Sequence, residues 1–577
     1  MLLLGYLLGF AAVALLMKKR SESARGLVLV GYNYLFTVVM FTFNRLSGQS
    51  LSWQSVTEVI LKSIYSSPPA LTFRGSMNDT RSLQQVAILC IMSIYTLRTA
   101  FVLFFRKALN LFRMSVRVRW ARELYVLWGG REEVQILLAD LQKQVRRPAA
   151  VWIPFSGKGE MLLGALTEEE RFLERIRKNR ECRIVLLPDP QGGNLDRLDR
   201  LDKLCSSRAP FHVTAFLEDD TLRLNALLFE HLDAYLVSAQ ELLCQRLWQQ
   251  RRPLQLVQTH GEGSVQKGVY IPARPFRLSV VGFDPLAKAF LLSSAEQAAF
   301  ETAAPGGLGM EALVFQASPE AWEGFRLDYP AANLFASMER REDAPDRALC
   351  GALADPEARP DCILLSQPET GKNLELAKRL LRQMDHLGMP EQARPWLLVR
   401  AGGADKASLH LLKDRGEVNL IQDQTALLSY EALILRADDQ GAEALHENYS
   451  RHNPNAARWY GLDTFTQDSN RAALRDRENK RLLARDLETD REQTLWELSK
   501  YEHRRWEAFY ATHGWIRLPE EELTPAERAS YATKRTQERR HSCLCVWDEL
   551  DALPQREPGL LKRYDYENVL EVFAREE

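Results

Sequence analysis

Apolar residues are distributed very unevenly along this chain. Three nearly uncharged runs lie in the first 110 residues, at 1–17, 26–43 and 84–105, the last interrupted by Arg98. A helix needs ~20 apolar residues to cross a hydrocarbon core ~30 Å thick, so each run reads as a transmembrane helix. From Glu123 the pattern changes to short apolar runs alternating with amphipathic stretches, which predicts parallel strands joined by helices. The strands expected first are Leu124–Trp128, Ala150–Phe155, Arg183–Leu187, His212–Phe216 and Ala234–Ser238, with helices at Glu132–Gln144, Glu168–Lys178 and Thr221–His231. The pattern restarts at Arg277–Gly282 and continues with strands at Ala312–Gln316, Cys362–Ser366, Trp396–Arg400 and Val418–Ile421, and a helix at Leu374–Leu387. This is an internal duplication of two doubly wound units. The last part is charge-rich and mainly helical, with helices predicted from Asp468 (N-cap Asp468 or Ser469) and over Leu495–Tyr510.

These elements predict an α/β chain in five parts. They are a transmembrane region over 1–110, a basic linker helix over 111–122, Rossmann-like units over 123–270 and 271–443, and a mainly α-helical domain over 444–577.

Charge refines the picture. Lys18, Lys19, Arg20 and Arg25 follow the first run, and Arg106, Lys107, Arg113, Arg117, Arg119 and Arg122 follow the third. Basic flanks stay on the cytoplasmic side, so a multi-pass inner-membrane protein is expected, with the N-terminus outside and everything after 105 cytoplasmic. Met1–Met17 lacks the basic start and small-residue cleavage site of a signal peptide. Arg98 is the candidate pore or membrane residue, because a charge within a span is costly; its bland alternative is snorkelling to the interface. The net charge of −1 gives no basis for nucleic acid as a partner. Eight cysteines without paired spacing suit reduced thiols and predict no metal site.

No Gly-x-Ser-x-Gly, His-Glu-x-x-His or Walker pattern is present, and a non-enzyme is expected. The two glycine turns, Val126-Leu-Trp-Gly-Gly-Arg-Glu-Glu-Val134 and Val280-Val-Gly-Phe-Asp-Pro-Leu-Ala-Lys288, resemble those of TrkA-N/RCK Rossmann domains, which regulate ion transporters. Neither completes G-x-G-x-x-G, and neither unit has a carboxylate ending its second strand. No cofactor is assigned with certainty. The alternative is a nucleotide near Gly282 and Asp284.

The C-terminal blocks are more specific. Lys500-Tyr-Glu-His-Arg-Arg-Trp506 with Gly514-Trp515, followed by His541-Ser-Cys-Leu-Cys-Val-Trp-Asp-Glu-Leu550, resembles the ryanodine-receptor-type repeat (RyR) domain. Ala444–Tyr449 and Trp459–Asp463 resemble the segment that precedes it in bacterial proteins. By helical period, Glu502 and Trp506 share a face, as do Tyr501, Arg505 and Phe509. Trp can stack on a base, Arg can pair with phosphate, and a carboxylate can accept from a base amino group. The resemblance implies a site for a nucleotide-like signal framed by Glu502, His503, Arg504, Arg505, Trp506, Trp515, His541, Trp547 and Asp548. Lys534, Arg535, Arg539 and Arg540 are further candidates to meet phosphate. It also implies a membrane receptor and effector, with the lipid bilayer and further copies of itself as partners, whose spans open a pore or disrupt the membrane, as in anti-phage signalling. The other reading is a regulatory subunit of an ion transporter, with the spans as anchor.

Overall fold

The computed structural model describes residues 112–577 apart from 156–164, 177–179, 207–210, 305–306, 404–408, 410–411, 413–414, 422–426, 453–456, 529–531, 556 and 575–577, together with isolated positions before 112. The segments 1–17, 26–43 and 84–105, and Arg98 with them, lie outside the described residues. Among the described residues no helix is long and apolar enough to cross a membrane. The chain forms two compact units, Met1–Trp120 and Ala121–Glu577. In the first, residues 112–120 are helical, within the expected basic linker helix.

The second unit contains two six-stranded sheets. In the first sheet β1 (Glu123–Trp128), β2 (Ala150–Ile153), β3 (Leu166–Thr167), β4 (Glu181–Leu186), β5 (Phe211–Phe216) and β6 (Leu232–Val237) take the order 3-2-1-4-5-6, every pairing parallel. Helices α1 (Arg131–Gln144), α2 (Asn194–Cys205), α3 (Asp219–Leu224), α4 (Ala239–Gln250) and α5 (Pro253–His260) connect or follow these strands. A hairpin, β7 (Gly263–Gln266) with β8 (Val269–Pro272), leads to the second sheet. There β9 (Phe276–Val281), β10 (Met310–Phe315), β11 (Ala336–Arg341), β12 (Cys362–Leu365), β13 (Trp396–Arg400) and β14 (Val418–Ile421) repeat the order, again all parallel. Its helices are α6 (Pro285–Gln297), α7 (Pro319–Asp328), α8 (Pro345–Ala354) and α9 (Thr370–His386). The expected duplication is therefore present as two copies of the doubly wound order.

Central strands such as β1 and β12 are buried along nearly their whole length, because helices cover both faces. Each sheet also has an edge strand, β3 or β11, that the hydrophobic pattern does not reveal. Ala336–Arg341 reads ASMERR and is only partly buried, so it carries little apolar signal.

Two expected helices are corrected. Glu168–Lys178 yields a 3-10 turn, Glu170–Arg175, after the short β3. The helix expected over Thr221–His231 ends at Leu224. Beyond it the backbone of Leu227 bonds Thr464 twice, to Oγ1 at 3.0 Å and from its amide at 2.9 Å, so this stretch is held to the C-terminal helices rather than coiled on itself.

The C-terminal part packs α10 (Ala437–His452), α11 (Thr464–Arg475), α12 (Arg477–Leu483), α13 (Arg491–Thr512) and α14 (Leu560–Ala574) together. It shares cores with the Rossmann-like units. Leu495, Leu498 and Tyr501 of α13 and Val569, Val572 and Phe573 of α14 join the cluster built on β9 and α6. Leu428, Leu433 and Ile434, which precede α10, fold back onto the first sheet.

Candidate ligand pocket

Helix α13 carries the expected site, and its ends are set by local chemistry. The Asp490 side chain accepts from the Gln493 amide at its start. Gly514, with φ +74°, follows its end, where a Cβ would come within 2.6 Å of the Asp328 carbonyl. Helix α11 starts earlier than expected. Its N-cap is Asp463, which accepts from the Thr466 amide at 2.7 Å, whereas Asp468 lies inside the helix and pairs with Arg471.

These two helices, α10, α14 and residues of the 541–550 segment enclose a cavity of about 370 Å³. Trp506 lines it, with ring centroids 4.4 Å from Tyr510, 5.2 Å from His541 and 5.7 Å from His503. Tyr449 and Tyr564, 4.8 Å apart, link α10 to α14. Glu502, His503, Arg505, Trp506 and His541 line the cavity as the resemblance implies.

The charged members of the lining are committed to one another. Glu502 is 1% exposed and receives Arg505 Nε and Nη2, each at 2.9 Å, and Lys480 Nζ at 2.8 Å. Burial opposes its ionisation, but Arg505 and Lys480 outweigh burial and hold its pKa down to about 2. His503 Nδ1 lies 3.1 Å from Asp565 and Nε2 lies 2.9 Å from the Cys545 carbonyl. Both neighbours are acceptors, so both nitrogens donate and the ring is an imidazolium. Burial alone would lower its pKa; Asp565 and then Glu507 raise it to about 9. His541 is the opposite case. Its Nδ1 accepts from the Cys543 amide at 3.0 Å, and burial with the Lys534 and His503 charges pushes it down to about 3.

A pH effect follows. The raised pKa of His503 contributes stability that is complete below about 6.5 and lost as pH rises through about 9. Glu507, pushed by burial up to about 7, titrates within the lower half of that window, in both proteins. The melting temperature of the wild type is expected to fall across this window by more than that of His503→Gln. Parallel pH profiles for the two proteins would refute the imidazolium assignment.

Four expected site residues are elsewhere. Arg504 is on another face of α13, donating to the Gly307 carbonyl at 3.0 Å and packed over Phe335 of the second Rossmann-like unit. Trp515 is core, 2% exposed and stacked on Phe465 at 5.0 Å. Trp547 packs edge-on to His503 at 5.8 Å without lining the cavity, and Asp548 is exposed. Three of the four basic connector candidates are also engaged, while Arg539 Nη1 is buried without a hydrogen-bond partner. Lys534 bonds Thr466 and Asp463, Arg535 pairs with Glu527, and Arg540 with Glu522. The pocket residues missed in the sequence include Tyr449, Asn470, Tyr510, Tyr564, Asp565 and Asn568. Tyr564, Asp565 and Asn568 do fall on one face of α14, a signal that spacing could have offered.

At the other expected position, Gly282 has φ +96°, and a Cβ would fall 2.5 Å from the Ser366 carbonyl oxygen. Glycine is therefore required there by the close passage of β9 and β12. Asp284 caps α6 through the Ala287 amide at 2.9 Å, accepts from Ser366 Oγ at 2.8 Å and pairs with Arg400. Its carboxylate occupies the helix start that a phosphate would use, and both oxygens are engaged by the fold.

No protein-family model matches the chain, and no curated protein matches it. Solved structures that resemble it are distant. The crystal structure of GsuK bound to ADP is 13% identical, covering 72% of this chain and 100% of that one, with a TM-score of 0.32. The GsuK channel is 11% identical over 73% and 85%, with a TM-score of 0.33. A dipicolinate synthase chain from Bacillus halodurans is 10% identical over 53% and 91%, with a TM-score of 0.20. At such distances, function has to be argued from the site itself.

Proposed function

We propose that this chain is a non-enzymatic regulatory protein that senses a small nucleotide-type molecule in its C-terminal pocket. The observation that carries this is the aromatic-walled cavity around Trp506, with planar rings to stack a base and polar groups to orient it. The RyR-type resemblance of the same residues supports it. Helix α13 lines the pocket with one face and packs on α6 with another, so occupancy bears directly on the Rossmann-like units. A ligand shifts the protein's state only by as much as it prefers one arrangement of these helices.

Two outputs are compatible with this sensor. In the first, the paired Rossmann-like units act as an RCK-type regulatory subunit of an ion transporter, with residues 1–110 as an inner-membrane anchor. In the second, favoured by three apolar runs within this chain, the spans themselves open a pore or disrupt the membrane, Arg98 among them, as an anti-phage effector would. In both, residues after 105 are cytoplasmic and the protein assembles with copies of itself. The two separate on whether this chain alone, reconstituted in liposomes, conducts when ligand is added.

The sensor is tested by calorimetry of the full-length protein in detergent against adenine nucleotides, cyclic oligonucleotides and ADP-ribose derivatives. Trp506→Ala is expected to weaken a saturable ligand by about 5- to 150-fold, the equivalent of about 1–3 kcal/mol of stacking. Unchanged affinity in that variant would remove the pocket from the proposal.

A further inference from the structure

We infer that the pocket recognises an uncharged nucleobase-like ring, and that any phosphates on the ligand stay outside it and add no affinity; this rests on the sensing function proposed above. The first ground is charge. The cations that border the cavity are already neutralised, Arg505 by Glu502 and His503 by Asp565. Lys480 behind Arg505 is held by both Asp476 and Glu502. A phosphate entering here would have to displace buried carboxylates that are geometrically matched to their cations, or lie beside them uncompensated. In the neighbouring connector Lys534, Arg535 and Arg540 face their own carboxylates, and Arg504 faces another part of the protein.

The second ground is the set of groups left over. Among the described residues the Asn568 amide has no hydrogen-bond partner, and Asn470, whose Nδ2 donates to the Thr466 carbonyl, has its Oδ1 unengaged. His541 keeps its proton on Nε2, because Nδ1 accepts from the Cys543 amide. Arg505 Nη1 is buried without a partner, while Nε and Nη2 hold Glu502. These are two donors, one acceptor and one amide that is both. That set matches the mixed edge of a heterocyclic base, for which a side-chain amide is a fitted partner. A phosphate, which presents acceptors only, would leave Asn470 Oδ1 and the Asn568 amide oxygen unmet. The third ground is the walls. Trp506, Tyr510 and His541 form one aromatic cluster, and Tyr449 and Tyr564 another, all bordering the same cavity.

The test is calorimetry on the full-length protein in detergent with matched pairs: adenosine and ADP, guanosine and GDP, cytidine and CDP, uridine and UDP, each at low and high salt. At least one nucleoside is expected to bind within about threefold of its diphosphate, with neither affinity changing with salt. Asn568→Leu is expected to weaken both members of that pair equally, by about tenfold or more. A diphosphate that binds more than about tenfold tighter than its nucleoside, with an affinity that falls in salt, overturns the inference and leaves the sensing function standing. Binding of neither member of any pair overturns the inference, and a blank against the cyclic oligonucleotides and ADP-ribose derivatives as well overturns the sensing function with it.

Discussion

Glu502→Ala is expected to destabilise the C-terminal helices by about 3–5 kcal/mol, the loss typical of removing one member of a buried ionic group. Glu502 is the acceptor for three donors: two from Arg505, at 2.9 Å each, and Lys480 at 2.8 Å. Without it, Arg505 loses its ion pair, and the carboxylate that stays paired with Lys480 is Asp476. That carboxylate already accepts from the Tyr501 hydroxyl at 2.8 Å and the Asn479 amide at 2.8 Å. Asp476 cannot serve both cations without giving up those bonds. Thermal unfolding followed by near-ultraviolet circular dichroism would register the loss. Replacing Glu502 and Arg505 together (Glu502→Leu, Arg505→Met), with Lys480 left to pair with Asp476, is expected to recover much of it, since an apolar pair of similar volume carries no desolvation cost. The acid limb gives an independent reading. The depressed pKa of Glu502 contributes stability that is complete above about 4.5 and lost as pH falls through about 2, and the alanine variant should lack that component. A Glu502→Ala protein that melts like the wild type would show that this cluster does not hold the pocket.

That result bears on how much of the molecule can be read from its sequence. Buried central strands are legible because both faces are apolar, and β13 falls at the expected residues. The edge strands β3 and β11 are not, since half-exposed residues lose the alternation that marks a strand. The pocket shows the same division. Glu502, His503, Arg505, Trp506 and His541 are brought together as the motif implies. The motif does not reveal that Glu502 and Arg505 consume each other, because that depends on Lys480, from a helix outside the motif, completing the charge balance. Nor does it show which aromatics are core. Trp515 and Trp506 look alike in sequence, and only the stacking of Trp515 on Phe465, from a helix outside the motif, separates them. The assignment of Asp463 rather than Asp468 as the α11 cap likewise rests on Lys534 and Thr466 sharing its carboxylate.

Arg471→Ala is expected to loosen the pocket from the first Rossmann-like unit, again by about 3–5 kcal/mol. Arg471 is 1% exposed and bridges Asp439 of α10, at 2.6 Å, and Asp468 of its own helix, at 2.5 Å. Its guanidinium lies 4.4 Å from the Tyr235 ring of β6 and 5.6 Å from Trp459. Asp439 continues the network through Arg436, whose guanidinium holds Asp233 of β6 with two bonds of 2.9 Å. The chain of contacts thus runs from the helix that lines the pocket to the last strand of the first sheet. Removing Arg471 strands Asp468, which burial already pushes up to about 6, and the carboxyl should then take up a proton. Arg471→Lys is expected to recover only part of the loss, because an ammonium cannot span both carboxylates and stack on Tyr235 in one pose. By comparison, Lys143→Ala at the exposed Lys143–Asp140 pair should change stability by less than about 0.5 kcal/mol. Hydrogen exchange distinguishes a joint from a local brace. In Arg471→Ala, protection should fall in α11 and in β6 together. Loss confined to α11 would mean that ligand binding reaches the Rossmann-like units through the α13–α6 packing alone, and the ionic bridge would then be a stabilising contact with no part in transmission.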